Sequence, residues 1–91
     1  MKIKKGFILR EMSDNGGLSV VVAVGEVASK LKGYLSLNES GTLIWKTLEK
    51  GASEDEIVNV LLNEYDAPEQ LIRNDVKAVI SNLKQIGAID D

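Results

Sequence analysis

The stretch GYLSLNESGTLIWKTLEKG, residues 33–51, determines the architecture, because the spacing of its apolar side chains changes partway along. Residues 33–37 alternate between apolar and polar, which predicts a short strand. From Asn38 onward the apolar residues recur at helical spacing, and asparagine is a favourable N-cap. Gly51 is expected to end this helix. The stretch therefore leads directly from a strand into a helix.

The alternation within this predicted strand also assigns its faces. Leu35 and Leu37 are expected to point toward the core, whereas Tyr34 and Ser36 face away from it. The strand carries no charge and no proline, so nothing in its sequence protects it from pairing with another chain.

Two further strands are predicted upstream, at about residues 7–12 and 18–24. The second is rich in β-branched residues, and its residues Leu18, Val20, Val22 and Val24 share one face. The sequence Asn15-Gly16-Gly17 between the two runs is a strong turn signal. We therefore expect an antiparallel hairpin.

Three helices are predicted downstream, at about residues 39–50, 54–65 and 68–86. Ser53 and Glu56 form the capping-box pattern at the start of the second helix, and Gly87 is expected to end the third. The order of elements indicates an α+β fold: a winged-helix-like domain with a three-stranded antiparallel sheet followed by three helices. We expect residues 1–91 to form this single domain.

The composition argues against catalysis. The chain contains no cysteine and no histidine, so it lacks thiolate nucleophiles, disulfides, zinc–thiolate sites and the usual general acid or base. No nucleophile–base set is recognisable among the remaining side chains. We expect a chain that is not an enzyme by itself and that needs no cofactor and no metal.

The N-terminus is basic but is followed by neither a long apolar stretch nor a small-residue cleavage site, which argues against a secretory signal. No apolar run approaches the roughly 20 residues that a bilayer crossing requires. These features predict a cytoplasmic location and no membrane partner.

The net charge of −3 is unevenly distributed. Residues 1–52 carry a net charge of +3 and residues 53–91 a net charge of −6. A DNA-reading winged helix would need a positive helical half, because phosphate neutralisation provides most of the affinity. Nucleic acid is therefore disfavoured as a partner, although a winged-helix DNA-binding regulator remains an alternative.

The basic residues of the third predicted helix form a stripe. At 100° per residue, Arg73, Lys77 and Lys84 lie within about 40° of one another, and Ile80 lies on the same stripe. One interpretation is a solvated helix edge on which Glu69 pairs with Arg73. The other is a wall of a groove that receives an acidic or amphipathic peptide.

The third predicted strand is the other candidate wall. If the first two strands pair as a hairpin and the third joins one side, its outer edge is left open. Such an edge is suited to strand addition by a peptide. The alternatives are that a helix covers the edge, or that a second copy of the chain pairs with it in a homodimer.

The sequence from Leu37 to Gly51 contains the pattern L-N-x-x-G-x-x-I-W-x-x-L-x-x-G. Together with Ile57-Val58, Leu61, Tyr65, Asp75-Val76 and the closing Leu83-x-x-x-Gly87-Ala88-Ile89, it resembles the PqqD-like family. The resemblance extends over about residues 7–90. No single one of these strings is specific to the family, but their order along the chain is.

The resemblance implies a RiPP recognition element, a domain that binds the leader of a ribosomally made precursor peptide. The leader would add as a strand to the third predicted strand and lie against the third helix. A partner enzyme, often a radical S-adenosylmethionine (SAM) protein, would then modify the peptide. Carried onto this sequence, the implied peptide-binding residues are Tyr34, Leu35, Ser36, Leu37, Arg73, Lys77, Ile80 and Lys84. A module that binds a folded protein is a further alternative.

Overall fold

The computed structural model describes residues 1–11, 18–25 and 35–90. Its elements along the chain are β1 (Lys2–Ile3), β2 (Phe7–Glu11), β3 (Ser19–Ala23), β4 (Leu35–Leu37), α1 (Glu39–Glu49), α2 (Glu54–Glu64), α3 (Glu69–Gln85) and β5 (Ile89–Asp90). The predicted α+β arrangement is confirmed, because a three-stranded antiparallel sheet precedes three helices.

The three-stranded sheet has the order β2-β3-β4. Leu9 pairs with Val21 and Val21 with Leu35, so the predicted hairpin and the addition of the third strand are both confirmed. The predicted turn at residues 15–17 and the predicted strand residues 12, 33 and 34 lie outside the described residues.

A second, two-stranded sheet was not predicted. In it β1 pairs antiparallel with β5, with Ile3 opposite Ile89, and the backbone N–H of Lys4 donates to the carbonyl of Ala88. Strands of two residues are too short for a periodic pattern. Their existence depends on contacts between distant parts of the chain, so local spacing gives no signal for them.

The helix boundaries agree with the predicted ones to within one residue at each end. The Asn38 side chain accepts the backbone N–H of Gly41 at 2.9 Å, as an N-cap does. Both bonds of the predicted capping box are present between Ser53 and Glu56. Gly51 and Gly87 follow helix ends with positive φ, a conformation that costs glycine little.

Strand β3 is apolar on both faces, and the structure decides which face is buried. Val21 is fully buried under the helices. The opposite face, which carries the four apolar residues grouped by the sequence pattern, points outward, and Leu18 and Val24 are 44% and 42% exposed. The alternation within β4 is confirmed, because Leu37 is buried, Leu35 is half-buried and Ser36 is exposed.

Helix α1 forms the centre of the core. Ile44, Trp45 and Leu48 are all fully buried, and they pack with apolar residues of α2 and α3. The indole N–H of Trp45 has no hydrogen-bond partner among the described residues. Trp45 is therefore a core side chain, and its fluorescence is better suited to reporting unfolding than surface binding.

Within the described part of the chain, no helix has the length and apolar character needed to cross a bilayer. Residues 1–11, 18–25 and 35–90 likewise contain no cluster of three or more acidic side chains that could hold a metal ion.

Candidate functional site

The outer edge of β4 exposes the backbone of one residue in particular, Ser36. Val24 donates its N–H to the carbonyl of Gly6 at 2.8 Å, which makes these two a hydrogen-bonded pair at the end of the β2–β3 ladder. Hydrogen-bonded and non-hydrogen-bonded pairs alternate along antiparallel strands. Val20 lies four residues before Val24, so its backbone groups also bond β2 and point away from β4. The pair Val20–Ser36 is therefore non-hydrogen-bonded, and the N–H and C=O of Ser36 point away from β3.

No strand pairs with this edge among the described residues, since β4 ends the sheet. Leu35 and Leu37 use their backbone groups to bond β3 on the other side, opposite Val21 and Ser19. The backbone groups of β4 that point away from β3 are thus concentrated at its central residue.

The first turn of α1 holds β4 closely. A Cβ atom added to Gly41 would lie 3.2 Å from two side-chain atoms of Leu37 and from the Asn38 Oδ1. That spacing is tighter than ordinary van der Waals contact, so the helix and the strand approach each other closely at Gly41. Asn38 is itself extended, with φ −78° and ψ −173°, so the extended backbone of β4 continues to the cap of the helix.

A cleft of about 390 Å³, here called the acidic cleft, opens beside the end of β4. Its lining comes from the start of α1, the end of α2 with the following turn, and the first half of α3: Asn38, Glu39, Ser40, Leu61, Tyr65, Ala67, Leu71, Ile72 and Asp75. Leu61 and Ile72 are buried beneath it, whereas Leu71 is 54% exposed. The cleft therefore combines apolar side chains with a carboxylate-bearing rim.

Among the described residues that line the acidic cleft, the charged side chains are Glu39 and Asp75, and both are negative. The Tyr65 hydroxyl donates to the Glu39 Oε1 at 3.4 Å. Burial raises the pKa of the Tyr65 phenol, and the charges of Glu39 and Glu64 raise it further. The two charges that contribute to this shift are both negative.

The predicted basic stripe begins at Arg73, and this residue is engaged within the chain. Its guanidinium contacts Asp55 at 2.9 Å, Glu69 at 3.4 Å and Glu54 at 3.5 Å. The hydrogen bond to Asp55 is the main reason that the pKa of Arg73 is raised. The predicted pairing of Glu69 with Arg73 is confirmed, and Arg73 ties α3 to the first turn of α2.

The rest of the stripe lines a second cleft of about 410 Å³, here called the basic cleft. Lys77, Ile80 and Lys84 line it together with Glu54 of α2. Ile80 is only 6% exposed, so most of its side chain packs in the core.

The two clefts lie on opposite flanks of α3. With buried Val76 taken as the centre of the helix face, Arg73 and Lys77 lie on one side of it, and Leu71 and Asp75 lie on the other. The flank with Leu71 and Asp75 shares its cleft with Asn38, the residue that follows β4.

The structure thus brings only part of the predicted site together. Leu35, Ser36 and Leu37 form the open edge strand, and Tyr34 lies outside the described residues. The four predicted residues of α3 lie on the other flank, beside Glu54 at the start of α2. Sequence reasoning did not select Leu71, although an apolar side chain far from the buried stripe of a helix is a signal that could have identified it.

Comparison with known proteins gives a family and a fold. A family model described as coenzyme PQQ synthesis protein D (PqqD) matches residues 19–89. No curated protein sequence matches the chain. Among solved structures, TbiB1 in complex with the TbiA(beta) leader peptide is similar, with 23% identity and a TM-score of 0.73 over 99% of this chain and 100% of that one.

The structure of a lasso peptide synthetase B1 complexed with the leader peptide is also similar, with 22% identity and a TM-score of 0.71. That match covers 96% of this chain and 93% of the other. At these identities the two likenesses establish a shared fold.

Proposed function

The chain belongs to the PqqD family, and we propose that it is a RiPP recognition element that binds the leader of a ribosomally made precursor peptide. The leader adds as a strand to the outer edge of β4. The observation that carries this proposal is the orientation of Ser36, whose backbone N–H and C=O face that edge. Further support comes from the two similar structures, both of which contain a bound leader peptide.

Strand addition provides a register without requiring a particular peptide sequence. In antiparallel addition, the peptide residue opposite Ser36 makes two main-chain hydrogen bonds, and its side chain lies on the outer face of the sheet beside that of Ser36. The peptide residues on either side of it place their side chains on the inner face, beside Leu35 and Leu37. Selectivity therefore resides in alternate residues of the leader.

We assign the chemistry of peptide maturation to a separate enzyme, such as a protein of the radical SAM class, which the family resemblance implies as a frequent partner. The chain itself is proposed to be non-catalytic, because it contains neither histidine nor cysteine. Its contribution is to capture the leader in the cytoplasm and to present the attached core peptide to that enzyme.

A second copy of the chain is an alternative occupant of the same edge. Two β4 strands can pair antiparallel about a two-fold axis, since such an interface uses the same residues from both copies. A homodimer of this kind would hide Ser36 and compete with the leader. Dilution would then favour leader binding.

The basic stripe of α3 stays a prediction in this account. Lys77, Ile80 and Lys84 lie on the far flank of the helix from Asn38, so a leader that contacts them has to continue around α3 beyond its strand segment.

The proposal is tested by selecting a displayed library of random 15-residue peptides against the chain and measuring the affinity of selected peptides for Ser36→Pro and Ser36→Ala variants. Proline removes the outward N–H, which the ladder with β3 does not use, and proline is tolerated at such edge positions. Alanine keeps the N–H and is the matched control. Loss of the hydrogen bond is expected to weaken binding by about 1–3 kcal/mol in the proline variant alone.

Selected peptides that bind both variants as tightly as the original chain would contradict strand addition at β4. Thermal unfolding of both variants serves as the control for folding.

Binding of duplex DNA, the alternative from sequence, is disfavoured by the charges of α3. Arg73 is surrounded by three carboxylates, and Asp75 adds another negative charge to the helix. A titration of duplex DNA at low salt separates the two functions, because a DNA-binding protein loses affinity steeply as salt increases.

A further inference from the structure

The acidic cleft is continuous with the edge to which the leader is proposed to add. Asn38 follows Leu37 directly, keeps an extended backbone and lines the cleft. A peptide strand advances about 3.3 Å per residue. A peptide paired with Ser36 therefore reaches the rim of the cleft within two or three residues.

The floor of the cleft is suited to an apolar side chain. Leu61 and Ile72 are 1% and 4% exposed beneath it, and Leu71 stands at its side. Among the large apolar side chains of the described residues, Leu71 is the most exposed. A peptide side chain in the cleft would remove apolar surface of Leu71 from water, which is favourable.

The rim of the cleft is suited to a cation. Glu39 and Asp75 both line it, and among the described residues that line it there is no lysine or arginine. Glu39 accepts a long hydrogen bond from Tyr65, and Asp75 forms no ion pair within the described part of the chain. The opposite flank of α3 is different, since two lysines line the basic cleft there.

We propose that the acidic cleft selects leaders in which an apolar residue is accompanied, within two positions, by a lysine or arginine. The apolar side chain enters the cleft between Leu71 and Ile72, and the cation lies at the rim between Glu39 and Asp75. This inference rests on the proposed function and specifies its substrate class. A basic segment of the leader would then lie beside the end of β4. The basic stripe of α3, in contrast, predicts an acidic peptide.

The test uses the peptides selected from the random library and two double variants. Glu39→Gln/Asp75→Asn neutralises the rim. Glu49→Gln/Asp90→Asn removes the same number of exposed carboxylates outside the lining of the cleft and is the matched control. Selected peptides are expected to be enriched in an apolar residue that has a lysine or arginine within two positions.

Replacing that peptide cation with glutamine is expected to lower affinity for the original chain and for the control by about two- to fivefold, as for an exposed ion pair. The same replacement should leave affinity for the rim variant unchanged. The loss of affinity caused by replacing the peptide cation should be smaller at about 0.5 M salt, because exposed charges are screened.

Two results would overturn the inference, and they are distinguishable. Selected peptides that depend on the Ser36 N–H but show neither basic enrichment nor any response to the rim variant would overturn the charge selection and leave the proposed function standing. Selected peptides that ignore Ser36→Pro would overturn the proposed function, and this inference with it.

Discussion

The hydroxyl groups of Ser19 in β3 and Thr42 in α1 lie 2.9 Å apart in the buried core. The Thr42 hydroxyl also lies 2.9 Å from the carbonyl of Asn38, to which it donates, so the Ser19 hydroxyl donates to Thr42. This chain of bonds joins the central strand of the sheet to the cap of α1. It thereby fixes β4, which lies beside Ser19, against the helix that carries the rim of the acidic cleft.

Thr42→Val is expected to destabilise the fold by about 1–3 kcal/mol, because it leaves the buried Ser19 hydroxyl without its acceptor. Thr47→Val is the matched control in the same helix, since the Thr47 hydroxyl bonds only the carbonyl one turn earlier among the described contacts. Denaturant unfolding followed by Trp45 emission measures both variants. Equal losses of stability in the two variants would contradict a special role for the Ser19–Thr42 pair.

Leu71→Ser is expected to weaken binding of selected peptides while changing the free energy of unfolding by less than about 1 kcal/mol. The Leu71 side chain is mostly exposed, so its loss removes little core packing, but it removes apolar surface from the acidic cleft. Val24→Ser, at a comparably exposed apolar position on the outer face of the sheet, is the control and should bind normally. Isothermal titration measures the affinity of both variants for the selected peptides. Equal affinities of Leu71→Ser and Val24→Ser would contradict a role of the acidic cleft in peptide binding.

The pKa of Tyr65 should respond to Glu39. The chain has two tyrosines, so a Tyr34→Phe background isolates Tyr65, and its phenol absorbance should titrate above the ordinary pKa of about 10. Adding Glu39→Gln should lower this pKa, because it removes a nearby negative charge.

The same shift makes stability depend on pH. The folded state holds the Tyr65 proton more tightly than the unfolded state. The resulting contribution to the free energy of unfolding is fully present below about pH 10 and is lost as pH rises through the folded pKa of Tyr65. Tyr65→Phe should lack this loss. An unfolding free energy of Tyr65→Phe that fell as steeply as that of the original chain above pH 10 would refute the linkage.

The basic stripe is best tested at Lys77. Arg73→Glu would place a fourth carboxylate among Glu54, Asp55 and Glu69 and would weaken folding for reasons unrelated to peptide binding. If the leader continues around α3, Lys77→Glu should lower its affinity by about two- to fivefold, whereas Lys50→Glu at the end of α1 should not. An unchanged affinity for Lys77→Glu would leave the stripe a solvated helix edge.

The parts of the fold that could be predicted are those determined by neighbouring residues. Asn38 and the Ser53–Glu56 pair locate two helix starts because their side chains bond the backbone within three residues. The strands follow from alternation for the same local reason. The β1–β5 pair escaped prediction because Ile3 and Ile89 meet only through long-range packing.

The candidate site was only partly predictable, for a related reason. Composition and alternation identified the unprotected strand around Ser36, and helical spacing located the basic stripe on α3. Spacing does not say which neighbour lies beside a given flank, however, since that depends on how α3 packs against α1 and α2. The acidic cleft, formed by residues as distant in sequence as Asn38 and Asp75, is visible only in the folded chain.

The most direct test of strand addition is amide hydrogen exchange, resolved by residue, at Leu35, Ser36 and Leu37 with and without a selected peptide. Leu35 and Leu37 already bond β3, so their amides should be protected in the free chain and change little. The Ser36 amide should exchange rapidly in the free chain and become strongly protected when the peptide binds. Peptide binding that leaves the Ser36 amide as fast as in the free chain would contradict the account.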